Sequence, residues 1–279
     1  MDVTRISALS RTLHPRYRST RHALVIGSVA AVAGATIAWL GGTEGWPVVA
    51  EGAVWGAASL LAWATARELD HDDPRGAFVA ALLTPAALAW AGDGRPLLLV
   101  GGVLLLAGRT ALRSTGLPLR PADLALTFIG GVVVAGSPAG WAAALVLAVA
   151  VAREATRPVG RVPAARWVAF ALAVGATARL GFTGGFSLPS LDGAVWVPLV
   201  VGSVAVVAAL GSDRRAPTVA CDRTAETPSA ADQWVARILV GVGAAAVTIL
   251  ALDPVAATTA VAALVGVVGI DRLRPGPTP

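Results

Sequence analysis

The sequence contains no lysine, and its other charged or reactive residues are sparse. All 22 basic residues are arginine, there are three histidines and one cysteine, Cys221, and charged residues make up only 14% of the chain, against about 25% in soluble domains. A single cysteine excludes an internal disulfide and any site built from several thiolates. The three histidines form no H-E-x-x-H pattern, so the common zinc-protease signature is absent as well.

Extended polar stretches are equally rare. The two that exist are 1–22 and 211–232, while 56% of all residues are hydrophobic and the mean hydropathy is +0.71. A soluble fold of this size could not bury so much apolar surface. In lipid, every backbone amide must be paired internally, which leaves helices or closed barrels. The apolar runs do not alternate in polarity as barrel strands do. We therefore predict an all-α integral membrane protein, a polytopic helical bundle.

Ten apolar runs approach the roughly 20 residues that a helix needs to cross a bilayer core. The runs are 23–42, 48–66, 76–91, 96–114, 122–135, 138–153, 163–182, 193–210, 233–251 and 254–270. The fifth and sixth are short, and an alternative for that pair is a re-entrant hairpin. We expect about ten transmembrane helices.

The distribution of arginine predicts the orientation, because basic residues accumulate in short cytoplasmic loops. With the N-terminus inside, only Arg95 and Arg179 fall on the outer side. Fusing the two short runs into one helix would move the arginine-rich loop 153–166 outside, so we expect two separate segments. This orientation predicts a multi-pass protein of the cell (plasma) membrane with both termini in the cytoplasm. Its parts are a basic tail (1–22), one transmembrane domain (23–270) with the polar cytoplasmic loop 211–232, and a short cytoplasmic tail (271–279).

The densest polar feature follows the second run. Two segments, 67–73 and 153–154, form a candidate polar cluster consisting of Arg67, Glu68, Asp70, His71, Asp72, Asp73, Arg153 and Glu154. Carboxylate oxygens are the ligands that Mg²⁺ prefers, so any metal site would use Glu68, Asp70, Asp72 and Asp73. The alternative is structural: Asp72 and Asp73 cap the third helix, and the other charges belong to a solvated turn.

A short sequence echo links the two parts of this cluster. Ala66-Arg67-Glu68 ends the second run, and Ala152-Arg153-Glu154 ends the sixth. If the echo reflects a repeat, the unit is four helices. An even number of crossings would then make the repeats parallel rather than inverted.

The position of these acidic segments resembles that in UbiA-type prenyltransferases, whose aspartate-rich motifs follow the second and sixth helices on the cytoplasmic side. The resemblance implies a Mg²⁺-dependent membrane enzyme acting on a lipid diphosphate, with Glu68, Asp70, Asp72 and Asp73 as metal ligands. The sequence departs from that pattern in two places. The expected Asn/Asp-Asp-x-x-Asp arrangement is absent, and the segment 153–158 carries a single acid, Glu154.

The apolar runs contain no carboxylate near mid-membrane, which a pump or proton-coupled carrier would need. Ten helices, internal termini and little extramembrane mass resemble the layout of drug/metabolite-type transporters. We therefore expect a small-molecule or lipid-associated transporter-like protein rather than an enzyme, without a cofactor; Mg²⁺ enters only under the enzyme alternative. A non-catalytic accessory subunit is the third alternative.

The expected partners are the lipid bilayer and a small-molecule or lipid substrate. The charges lie between apolar blocks instead of on one basic face, so we expect no binding to nucleic acid. The oligomeric state is open.

Overall fold

The computed structural model describes residues 17–70, 72–91, 97–113, 117–137, 139–158, 160–182, 196–211, 227–251, 253 and 255–273. These residues form ten α-helices and no strand. In chain order the helices are α1 (Arg18–Leu40), α2 (Trp46–Leu69), α3 (Pro74–Ala91), α4 (Leu98–Leu112), α5 (Pro121–Ala135), α6 (Gly140–Thr156), α7 (Ala165–Phe182), α8 (Trp196–Leu210), α9 (Ala230–Ala251) and α10 (Thr258–Leu273).

The all-α prediction is confirmed, and each helix coincides with one of the predicted runs to within a few residues. By length and composition, α1, α2 and α9 could each span a membrane, whereas α4, α5, α8 and α10 are apolar but shorter. The predicted pair α5 and α6 forms two separate helices, and α5 is 15 residues long, the same length as α4 and α8. The chain is thus a helical protein with several candidate membrane spans. The number of crossings and the orientation stay predictions.

Helix α4 lies at the centre of the bundle, in contact with α2, α5, α6, α9 and α10. Two three-helix units flank it. In the first unit α1, α2 and α3 pack on one another, and in the second unit α5, α6 and α7 do the same. Helix α10 packs on α2 and α3 of the first unit, α9 packs on α6 of the second, and α8 packs on α9 and α10.

The ends of α2, α4 and α6 lie together with the beginning of α9. Glu68 of α2 contacts Arg109 of α4, Arg113 of α4 contacts Glu154 of α6, and Asp232 of α9 contacts α6. We call this part of the bundle the charged end. Helices α3, α5 and α7 also begin here, because each follows a helix that ends here after a short connection.

Close helix approach explains several of the glycines. A Cβ atom added to Gly52 of α2 would lie 2.6 Å from the Ala31 carbonyl oxygen of α1. Between α3 and α10, a Cβ on Gly266 would overlap the Gly76 carbonyl oxygen and lie 3.0 Å from the amide nitrogen of Ala80. Such contacts stabilise helix pairs in lipid, where dispersion replaces the hydrophobic effect as the force between helices.

Large apolar side chains are exposed on the outer faces of the peripheral helices, among them Val32 of α1, Leu82 of α3, Ile129 of α5, Phe170 of α7 and Val200 of α8. Soluble monomers rarely expose apolar surface on this scale. Lipid tails are as apolar as leucine, so the surface is suited to a bilayer.

Candidate functional sites: a charged end and an apolar cleft

Helix α2 ends in a buried acid. Glu68 is 1% exposed, and Arg109 of α4 donates from Nε to its Oε1 at 2.9 Å. A buried carboxylate is tolerated only when it is paired and hydrogen-bonded. The glutamate of the predicted cluster therefore joins α2 to the central helix.

The carbonyl of the next residue, Leu69, is satisfied by α9. Gln233 Nε2 and Arg237 Nε each donate to this oxygen at 3.0 Å, and both side chains are buried. The last carbonyls of a helix have no partner within the helix. These two hydrogen bonds thus satisfy a carbonyl at the end of α2 that would be costly to bury without a partner.

The turn between α2 and α3 is organised by its own aspartates. Asp70 Oδ1 accepts from the amides of Asp72 at 3.1 Å and Asp73 at 3.4 Å. Asp73 Oδ1 accepts from the amide of Arg75 at 2.8 Å, just after Pro74 in the first helical position. The capping role predicted for Asp73 is confirmed, and that of Asp72 stays a prediction. His71 lies outside the described residues.

Helix α6 ends in a second buried acid. Glu154 is 0% exposed and accepts from Arg113 Nε at 2.8 Å, while Arg157 forms an ion pair with it from the following turn. Asp232 at the start of α9 pairs with Arg153 and, at 3.4 Å, with Arg157. These side chains join α4, α6 and α9.

Arg113 makes its contact with Glu154 from a left-handed backbone conformation. It ends α4 at φ 51° and ψ 47°, and it is the one non-glycine residue with positive φ among those described. The left-handed region costs an ordinary residue about 1–2 kcal/mol. The ion pair with Glu154 and a hydrogen bond from Nη2 to the Gly160 carbonyl offset that cost.

The structure therefore separates the predicted cluster into two glutamate centres. Glu68 and Glu154 occupy equivalent places in the Ala-Arg-Glu echo, and each is bound by an arginine of α4. Arg67 is half-buried beside Glu68. The sequence reasoning missed the partners, namely Arg109, Arg113, Arg157, Asp232, Gln233 and Arg237. The spacing of Arg109 and Arg113, four residues apart at the end of an apolar run, was the available signal.

A metal site at the charged end has little geometric support. Among the described residues, no three histidine, cysteine, aspartate or glutamate side chains come together as metal ligands. Glu68 is bound by Arg109, and Asp70 and Asp73 are engaged with the turn.

A second feature is an apolar cleft along α10. A cavity of about 360 Å³ lies between α3, α8 and α10, lined by Leu83, Trp90 and Thr258 among others. A second cavity of about 700 Å³ lies between α8 and α10, lined by Ser203, Val207 and Gly269 among others. Val265 lines both cavities. We call the two together the α10 cleft.

No protein-family model matches the chain, and comparison with curated proteins and with solved structures gives no match either. The two resemblances of layout therefore stay expectations. The interpretation of function rests on the geometry.

Proposed function

We propose that this chain is a transporter-like membrane protein that takes a hydrophobic small molecule or the hydrocarbon chain of a lipid into the α10 cleft from the surrounding bilayer. The observation that carries the proposal is the cleft itself. Both of its cavities, about 360 and 700 Å³, are lined by Val265 of α10.

The cleft is long enough to hold part of a hydrocarbon chain that lies along α10. Thr258 lines the first cavity and Gly269 the second. A helix rises about 1.5 Å per residue, which places these two residues roughly 16 Å apart along the axis. This distance is about half of the roughly 30 Å hydrocarbon core of a bilayer.

The lining of the cleft favours a ligand without charge. No lining residue is ionisable, and the hydroxyl of Thr258 already donates to the Val255 carbonyl at 2.8 Å. Ser203, which is exposed, offers a further hydroxyl. Recognition would therefore depend mainly on shape and apolar contact, with at most one or two hydrogen bonds.

The enzyme alternative has less support. A site for a lipid diphosphate with Mg²⁺ would need several carboxylates directed at one point, but Glu68 and Glu154 are each occupied by arginines of α4. The accessory-subunit alternative would need no cleft at all.

The proposal is tested with the purified chain in lipid nanodiscs and a fatty acid that carries a photoreactive diazirine. We expect crosslinks to map by mass spectrometry to α8 and α10, and Gly269→Leu to reduce them several-fold by filling the cleft. Gly175→Leu on α7 is the matched control, since an added Cβ meets no atom within 4 Å at either glycine. Crosslinks spread evenly over the outer helices, or unaffected by Gly269→Leu, would refute the proposed site. Uptake of the same probe by proteoliposomes no faster than by empty vesicles would refute transport.

A further inference from the structure

Besides Arg75, which is exposed and pairs with Asp73, two kinds of arginine lie at the charged end. The first kind is buried or half-buried and engages Glu68, Glu154, Asp232 or the Leu69 carbonyl, as described above. The second kind is exposed and makes no ion pair with the residues that the structure describes. It consists of Arg18 and Arg21 at the start of α1 and Arg161 and Arg166 around the start of α7. Within the described residues, these four side chains give the rim positive charge that no described acid neutralises through an ion pair.

The turn between α6 and α7 holds two of these rim arginines in a defined conformation. The amide of Val162 donates to the Glu154 carbonyl at 3.0 Å, and the amide of Ala165 donates to the Val162 carbonyl at 2.9 Å. Gly160 adopts φ 57°, and its carbonyl accepts from Arg113. The buried Glu154 centre therefore anchors the turn that displays Arg161 and Arg166.

An apolar stripe begins directly beside these arginines. The guanidinium of Arg166 lies 5.0 Å from the ring centre of Trp167, and Trp167, Phe170 and Val174 are exposed along α7. Residues three and four apart lie on one face of a helix. Tryptophan at the end of such a stripe is typical of the headgroup level of a membrane.

We propose that the α6–α7 turn is a binding site for the headgroup of an acidic phospholipid. The guanidinium groups of Arg161 and Arg166 would bind the phosphate through charge-assisted hydrogen bonds. One acyl chain would lie along Trp167, Phe170 and Val174. A phospholipid carries a phosphate and hydrocarbon chains in one molecule, which matches arginines beside an apolar stripe and is the reason for assigning a lipid. The inference does not depend on the α10 cleft, since α7 packs on α5 and α6.

Native mass spectrometry of the delipidated chain in detergent tests the site, because it resolves single binding events. The probes are phosphatidylglycerol, phosphatidylcholine and inorganic phosphate. We expect the first phosphatidylglycerol to bind more tightly than phosphatidylcholine. Arg166→Gln should weaken it about five-fold, and the double variant with Arg161→Gln about 25-fold, at the usual contribution of an arginine near an acidic membrane surface.

Arg179→Gln is the matched control, because it makes the same charge change on an exposed residue near the other end of α7. It should leave the affinity for phosphatidylglycerol within about two-fold of the parent if the lipid binds at a specific site. General electrostatic attraction would instead make the loss of any exposed arginine weaken binding to a similar degree. Equal effects of Arg166→Gln and Arg179→Gln would overturn the assignment. Equal affinity for the two lipids would do so too, and inorganic phosphate binding as tightly as phosphatidylglycerol would replace the lipid with a free anion.

Discussion

Glu154 and Asp232 each pair with two arginines, and Glu154 is the fully buried one of these two acids. Its carboxylate is fully buried and receives Arg113 from α4 and Arg157 from the α6–α7 connection, and Arg157 in turn reaches Asp232. The isolated ion would be expensive to bury, and its partners offset that cost only while all of them are present. The stability of this region should therefore respond sharply to the loss of one charge.

Glu154→Gln should destabilise the protein by about 3–5 kcal/mol, because it leaves two buried or half-buried arginines facing a neutral amide. The measurement is the midpoint of thermal unfolding in detergent, followed by circular dichroism. We expect a clearly lower midpoint for this variant than for the parent.

Arg75→Gln provides the comparison. The Arg75 side chain is 74% exposed, and its partner Asp73 is 8% exposed and also accepts from the backbone amide of Arg75. Because solvent reaches the arginine, we expect the pair to contribute about 0–1 kcal/mol. Its midpoint should stay near that of the parent. Equal losses in the two variants would mean that burial does not determine the strength of these pairs.

Among the helix pairs, α3 and α10 depend on the absence of side chains where they cross. A methyl group on Gly266 would meet the backbone at Gly76 and Ala80, which cannot move aside as a flexible side chain can. Gly266→Ala should therefore cost about 1–3 kcal/mol through overpacking. Its unfolding midpoint in detergent should fall.

Gly175→Ala on α7 is the control for the same chemical change. An added Cβ at Gly175 meets no atom within 4 Å, so only the better helix propensity of alanine remains, worth up to about 1 kcal/mol. We expect an unchanged or raised midpoint. A loss as large as that of Gly266→Ala would show that glycine is needed in these helices for a reason other than close packing.

The helices could be predicted from the sequence because each is an uninterrupted apolar run with clear ends. Asp73-Pro74 and Asp253-Pro254 mark such ends. In the structure Asp73 accepts from the amide of Arg75 in the first turn of α3, and Asp253 accepts from the amide of Val255 in the turn before α10. The α10 cleft could not be predicted in this way. It depends on how far α8 and α3 stand apart, and the spacing of residues within one helix carries no such information.

The candidate site was predicted in part. Glu68 and Glu154 were identified as polar residues at equivalent helix ends, but sequence position alone did not show that both face α4. By the rule that basic residues accumulate on the cytoplasmic side, Arg109 and Arg113 are simply cytoplasmic charges, since that rule is satisfied whether a side chain points outward or inward. Burial and partner choice are properties of the tertiary fold, and they separate a paired carboxylate from a metal ligand.

For the whole molecule, the predicted orientation can be tested through the lone thiol, Cys221, which lies outside the described residues. The chain enters α9 at the charged end, where Gln233 binds the end of α2, and Cys221 precedes α9 in the sequence. If arginine sets the orientation, this end faces the cytoplasm. Cys221 should then be protected from a membrane-impermeant maleimide in intact cells and labelled after lysis. Labelling of Cys221 in intact cells would contradict the predicted orientation.

The two glutamate centres can form only one after the other as the chain is synthesised. Glu68 leaves the ribosome 41 residues ahead of its partner Arg109, and Arg113 leaves 41 residues ahead of Glu154. Helix α4 therefore completes the pair with Glu68 once it is synthesised. It also carries Arg113 at its end, whose partner Glu154 is synthesised later with α6. During synthesis, α4 thus neutralises the carboxylate left by α2, and α6 later neutralises the arginine left at the end of α4.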